Sequence, residues 1–140
     1  MVKIILTSLI IFSFTFQARA VENFKAKYLK NYDGDTITVN LNCDIPLFCE
    51  KMSIRVNGID TPEIKGNCIK EKRLAKKAKF FVARQLKAYR KIDLRNCKKG
   101  KYFRLVCDVY YNDTLLSQKL LNQNLAVKYD GGKKIKNWCN

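Results

Sequence analysis

A chain of 140 residues with 28 Lys and Arg, 12 Asp and Glu and a net charge of +16 is long enough for one domain. Its 47% apolar content supports a packed core and excludes a disordered polycation. It contains no histidine, which excludes imidazole bases, Ser-His-Asp and Cys-His nucleophilic sites and His-ligated metals; hydrolytic chemistry would fall to carboxylates, arginines, tyrosines or an oxygen-bound cation.

Met1-Val2-Lys3 is a short basic start, Ile4–Phe16 carries no charge, and Ala18-Arg19-Ala20 has the small-x-small form of a signal-peptidase site. An apolar run of that length makes about 20 Å of helix, short of the roughly 30 Å hydrocarbon core of a bilayer. Residues 1–20 are therefore expected to be a signal peptide, with an uncleaved N-terminal anchor as the alternative. Cleavage removes Lys3 and Arg19 and no acid, leaving residues 21–140 as one domain with a charge of +14. That domain is expected to be secreted or periplasmic, monomeric and without stable membrane association.

Phe24–Leu41 holds two strand-like runs, with Ile37, Val39 and Leu41 alternating against Thr36, Thr38 and Asn40. Asp33-Gly34-Asp35 separates them as a turn in which Gly34 could take a positive φ. Asn42–Met52, with Pro46 and two cysteines, reads as a loop or hairpin extension. Ser53–Ile59 is a strand with Ile54 and Val56 on one face and Arg55 on the other; Pro62 stops it, because proline cannot donate to a ladder.

Lys70–Tyr89 is the strongest helix, with Leu74, Ala78, Phe81, Val82, Leu86 and Tyr89 at helical spacing. Lys91–Asn96 and Arg104–Tyr111 form two strands around a turn at Cys97–Lys101. Asn112-Asp113 leads into a short helix near Leu116–Gln123, and Asn124 suits a left-handed cap. Asp130-Gly131-Gly132 begins a basic tail. The order implies an α+β domain on a small antiparallel barrel.

Six cysteines, the closest pair six apart, form no CxxC motif, so disulfides are the default in an oxidising compartment. Of the 15 possible connectivities, the expected set is Cys43–Cys49 closing a loop, Cys97–Cys107 across a hairpin and Cys68–Cys139 tying down the C-terminus. Buried free thiols remain the alternative for one or two pairs.

The scarce acids concentrate in Asp33-Gly34-Asp35-Thr36 and Asp60-Thr61-Pro62-Glu63. Carboxylates, a backbone carbonyl and water suit Ca²⁺, which takes six to eight oxygens, although D-G-D-T alone is more often a self-bonded turn. Arg55 and Arg104, each in an expected strand, could hold two phosphate oxygens apiece at any working pH.

Asp33-Gly34-Asp35-Thr36, Arg55 with Asp60-Thr61-Pro62-Glu63, and Lys101-Tyr102-Phe103-Arg104, in that order, resemble the staphylococcal (micrococcal) nuclease family. Gln123-Asn124-Leu125-Ala126 resembles the family's Q-G-L-A, and Tyr129-Asp130-Gly131-Gly132 with Trp138-Cys139 resembles its exported bacterial members. The resemblance implies a five-stranded OB-type β-barrel with two packed helices and Ca²⁺-dependent hydrolysis of DNA and RNA, leaving a 3′-phosphate and a 5′-hydroxyl. It makes Asp35, Asp60 and the Thr61 carbonyl the metal ligands, with Asp33 in support. Glu63 would orient or deprotonate the attacking water, and Arg55 and Arg104 would stabilise the phosphoryl transition state. Lys101, Tyr102 and Tyr129 would contact substrate.

The sequence departs from the family in three places. Asn42–Met52 lengthens the hairpin between Asp35 and Arg55, Phe103 stands where the family has Gly, and the long C-terminal helix is largely absent.

Lysines in Lys70–Lys79, Lys98–Lys101 and Lys133–Lys136 would attract phosphates without reading sequence, or else simply form solvated faces. A catalytically inactive OB-type nucleic-acid-binding module is the main alternative. A basic, disulfide-rich protein acting on membranes or host proteins is the weaker one.

Overall fold

A computed structural model describes residues 22–140; the expected signal peptide at 1–20 lies outside the described residues. The ten-residue strand β1 (Glu22–Asn31) pairs antiparallel with β2 (Thr36–Leu41) through its second half and with β5 (Lys91–Lys99) through its first. Next to β2 runs β3 (Met52–Val56), and next to β5 runs β6 (Leu105–Tyr111). The sheet closes where β3 meets β6, through Ile54↔Leu105, Arg55↔Val106 and Val56↔Cys107, giving a five-stranded barrel of the OB type. This closing pair is parallel, a correction to the all-antiparallel expectation. Its register depends on two distant segments, which a period-2 pattern does not encode.

The alternation seen in the sequence fills the barrel. Ile37, Val39, Ile54, Val56, Leu94 and Val109 are at most 1% exposed, while Arg55 on the opposite face of β3 points out of the core. The expected strand at Ser53–Ile59 breaks after Val56. Gly58 takes φ +78 in the turn, and a separate short strand β4 (Ile59–Asp60) follows.

Helix α2 (Ile69–Tyr89) packs across the barrel through Ala75, Ala78, Val82 and Leu86. Ala75 and Ala78 are fully buried and Leu74 only partly; Tyr89, expected on the buried stripe, is 46% exposed. Cys68 caps the helix, its Sγ accepting from the Glu71 N–H. A single-turn helix α1 (Pro46–Cys49) occupies the expected loop.

After β6, the strand β7 (Thr114–Leu115) leads into α3 (Leu116–Asn122). Asn124 follows at φ 55, and the N–H groups of Asn124 and Leu125 donate to Leu121 and Leu120. This is a Schellman end, with buried Leu125 against Leu120 as its hydrophobic contact. Here Asn supplies the left-handed residue.

From there β8 (Val127–Lys128) pairs with β4, Asp60 facing Val127. The remaining residues, 129–140, cross the surface as an irregular strap.

All three expected disulfides are present: Cys43–Cys49, Cys68–Cys139 and Cys97–Cys107. The first closes the loop around α1, the second fastens the strap to the start of α2, and the third joins β5 to β6.

Candidate active site

The barrel brings the acidic turn, both arginines and the β4 turn to one rim. Thr36 pairs with Arg55 across β2 and β3, so Asp35 stands beside that arginine, and the Val56 N–H donates to the Asp35 carbonyl at 2.8 Å. Parallel closure then places Arg104, immediately before β6, on the same side. Arg104 itself lies outside the strand expected to hold it, because β6 begins at Leu105.

Asp33 shapes the turn. Its Oδ1 accepts from the N–H groups of Asp35 at 3.0 Å and Thr36 at 2.8 Å, the self-bonding expected of an Asx turn. Asn31 donates to the Asp33 carbonyl and to Lys79 O on α2, and is itself held by the Tyr28 hydroxyl. Gly34 is needed for close approach rather than for a positive φ. A Cβ there would lie 2.8 Å from Thr61 Cγ2 and 2.9 Å from Ala78 Cβ.

Asp35 and Asp60 are each 3% exposed, and one guanidinium meets both. Arg55 Nη1 lies 2.5 Å from Asp35 Oδ1, and Nη2 lies 3.6 Å from Asp60 Oδ1 and donates to Ile59 O at 3.0 Å. The second oxygen of Asp35 accepts from the N–H and hydroxyl of Thr61, both at 3.1 Å. The Tyr129 ring lies under Arg55 at 5.5 Å, and its hydroxyl donates to Gly132 O.

Burial makes ionisation of two of these acids costly. Burial, then the neighbouring Asp35, pushes the Asp33 carboxyl up to about 6 against its two N–H donors. Burial also raises Asp35, although Arg55 and Thr61 oppose it. Asp60 Oδ1 is buried without a hydrogen bond. Such a donor set, several hard carboxylate oxygens with one buried and met by charges but no hydrogen bond, fits a divalent cation of the Ca²⁺ type.

Glu63 follows Pro62 and stands half-exposed at the rim. Its backbone N–H donates to Glu71 Oε1, while Glu71 Oε2 takes the Asn67 N–H at 2.9 Å. Gly66 leaves room for this buried carboxylate, since a Cβ there would fall 2.3 Å from Glu71 Cδ. Glu71 also lies near Cys68 and Cys139, but those sulfurs are bonded to each other, so the trio is not a metal site.

Arg104 Nε is buried with no partner. Arg104, Arg55, Asp33, Asp35, Glu63, Lys101, Tyr102 and Tyr129 line one cleft of about 570 Å³. Tyr102 and Phe103 both adopt left-handed φ values, 57 and 53; Phe103 therefore takes the conformation that glycine would take freely.

Two contributors escaped the sequence. Nothing in the sequence singles out Glu71, an acid in the first turn of α2. Lys134 read as part of a generic basic tail, yet its Nζ lies 2.5 Å from Glu63 Oε1 and 2.8 Å from Asp60 Oδ1, off the angle for a hydrogen bond to the latter. Burial pulls the Lys134 ammonium down, but its contacts with Asp60 and Glu63 outweigh this and raise it above the ordinary lysine value.

A closed five-stranded barrel flanked by helices, with clustered acids and arginines at its rim, defines an OB-type α+β protein. Residues 53–137 match the family described as staphylococcal nuclease homologue, and the chain belongs to that family. Asp33 and Asp35 precede the matched segment; the fold brings them to Arg55. The chain is also similar to an uncharacterized protein of Bacillus anthracis, 28% identical over 111 residues that cover 78% of this chain. It spans 49% of that relative's length.

Proposed function

We propose that this protein is a Ca²⁺-dependent nuclease that hydrolyses phosphodiester bonds of DNA and RNA, leaving 3′-phosphates. The observation that carries the reading is the single Arg55 guanidinium in contact with both Asp35 and Asp60, in a cleft it shares with Glu63 and Arg104. Asp35, Asp60 and the Thr61 carbonyl are the groups that would hold the ion, with Asp33 supporting the turn. The bound ion supplies positive charge at the phosphoryl oxygens where negative charge builds up.

The chain's own residues divide the remaining work. Glu63, a half-exposed carboxylate beside the acid pair, orients or deprotonates the water, the base role being open to it in a chain without histidine. Arg55 and Arg104 bind the phosphate and offset its growing charge; removing a donor of this kind typically costs about 2.7–4 kcal/mol of barrier. Arg104 lines the same cleft as Arg55 and Glu63, which supports this role for it. Lys101 contacts a neighbouring phosphate, and the exposed Tyr102 ring offers a surface for a base. Tyr129, beneath Arg55, positions that guanidinium and closes the substrate side of the cleft.

Export completes the reading, with residues 1–20 as the signal peptide and 21–140 as the working domain. Three disulfides are compatible with an oxidising extracellular or periplasmic setting, and no described helix is long and apolar enough to cross a membrane. The test is incubation of the protein with plasmid and with single-stranded DNA, first in Ca²⁺ and then in chelator. Cleavage in Ca²⁺ that stops on chelation is the expected result. Binding without cleavage would instead favour a nucleic-acid-binding module.

A further inference from the structure

We propose that Lys134 sets the cation affinity and selectivity of the cleft: it is a tethered ammonium that a divalent ion must displace from Asp60 and Glu63. The inference rests on the reading that Asp35 and Asp60 hold such an ion. Lys134 Nζ lies 2.8 Å from Asp60 Oδ1 and 2.5 Å from Glu63 Oε1. Asp60 Oδ1 is buried without any hydrogen bond, so the charges of Lys134 and, at 3.6 Å, Arg55 are what compensate it.

The strap that carries Lys134 is fastened at both ends. On one side the Tyr129 N–H donates to Gly58 O, the Tyr129 hydroxyl to Gly132 O, and the Gly132 N–H to Asp130 Oδ1. On the other, Trp138 is buried, Cys139 is bonded to Cys68, and Lys70 Nζ donates to Asn140 O. A short span between two anchors keeps the ammonium at high effective concentration beside the acids.

An ammonium 2.8 Å from Asp60 Oδ1 and a divalent ion on the same carboxylate repel, so the two bind Asp60 antagonistically. Exchanging the ammonium for Na⁺ or K⁺ adds no charge to the pocket, whereas exchanging it for a divalent ion adds one. Lys134 therefore lowers the affinity for every cation but leaves divalent ions as the effective competitors.

The experiment is calorimetric titration of Ca²⁺ into the mature protein without nucleic acid, repeated in raised NaCl. Lys134→Met should bind Ca²⁺ about tenfold more tightly than wild type and become more sensitive to Na⁺. Lys134→Arg, which keeps the charge, should stay close to wild type. Lys133→Met, which removes an exposed charge on the same strap, should change affinity by less than about twofold. The Cys68→Ser/Cys139→Ser double variant, which frees the strap, should move in the direction of Lys134→Met.

Tighter binding confined to Lys134→Met and the freed strap supports the proposal. Wild type that binds while Lys134→Met binds no tighter overturns this inference alone. If neither protein takes up Ca²⁺, the metal-site reading falls and this inference falls with it. Melting curves in chelator confirm that each variant is folded.

Discussion

Arg55→Gln removes the guanidinium that meets both buried acids. The side chains of Arg55 and Asp35 are 13% and 5% exposed, so the pair is close to fully buried. Breaking such a pair by removing one partner generally costs about 3–5 kcal/mol, because a buried charge is left uncompensated. Asp35 keeps the two Thr61 donors and Asp60 keeps Lys134, which lowers the expected loss to roughly 2–4 kcal/mol. For a domain of this size that corresponds to a Tm lower by about 8–16 °C, read by thermal unfolding in chelator.

The deficit depends on pH in a definite direction. Burial already raises the Asp35 carboxyl, and Arg55 is the largest influence opposing it. Without Arg55 the folded-state pKa rises further above the unfolded value. The destabilisation is then complete above the raised folded pKa, fades as the pH falls through it, and is gone below the ordinary carboxylate range, where the acid is protonated in both states. Adding Ca²⁺ at neutral pH should narrow the gap between variant and wild type, since the ion compensates the same acids. A Tm change under about 2 °C in chelator at neutral pH would refute the claim that Arg55 bridges them.

Glu63→Gln should lower the cleavage rate by about 10²–10⁴-fold while leaving oligonucleotide affinity nearly unchanged, measured under single-turnover conditions. Gly34→Ala drives a methyl group against Thr61 and Ala78, and should cost about 1–3 kcal/mol in denaturant unfolding along with weaker Ca²⁺ binding. Gly66→Ala pushes against the Glu71 carboxylate, which holds the Glu63 and Asn67 N–H groups. It should destabilise by a similar amount and slow cleavage more than it weakens DNA binding; unchanged turnover would mean that the Glu71 scaffold does not position Glu63.

Local features were legible where the chemistry is local. Asp33-Gly34-Asp35 showed itself as a turn because an Asx side chain bonds the backbone two residues on. Alternation along Thr36–Leu41 fixed which face of β2 enters the core. Asn124 announced a left-handed cap. The three disulfides are the expected pairs, although six cysteines allow 15 connectivities and the sequence alone does not choose among them.

Three long-range features were not legible. Parallel pairing of β3 with β6 is a property of barrel closure, and it alone sets Arg55 beside the start of β6. The tight packing at Gly34 depends on Ala78, far along the chain on α2. Lys134 is one lysine among many, and only the path imposed by β8 and Cys139 brings it to Asp60. A clue was present in the spacing from Tyr129 to Cys139, which bounds how far the intervening strap can stray.

The most direct test is a crystal structure of the protein with Ca²⁺ and a dinucleotide. The expected result is an ion about 2.3–2.6 Å from carboxylate oxygens of Asp35 and Asp60, with a phosphate within hydrogen-bonding reach of Arg55 and Arg104. An ion bound away from those two acids, or a phosphate held only by the lysines of α2, would contradict it.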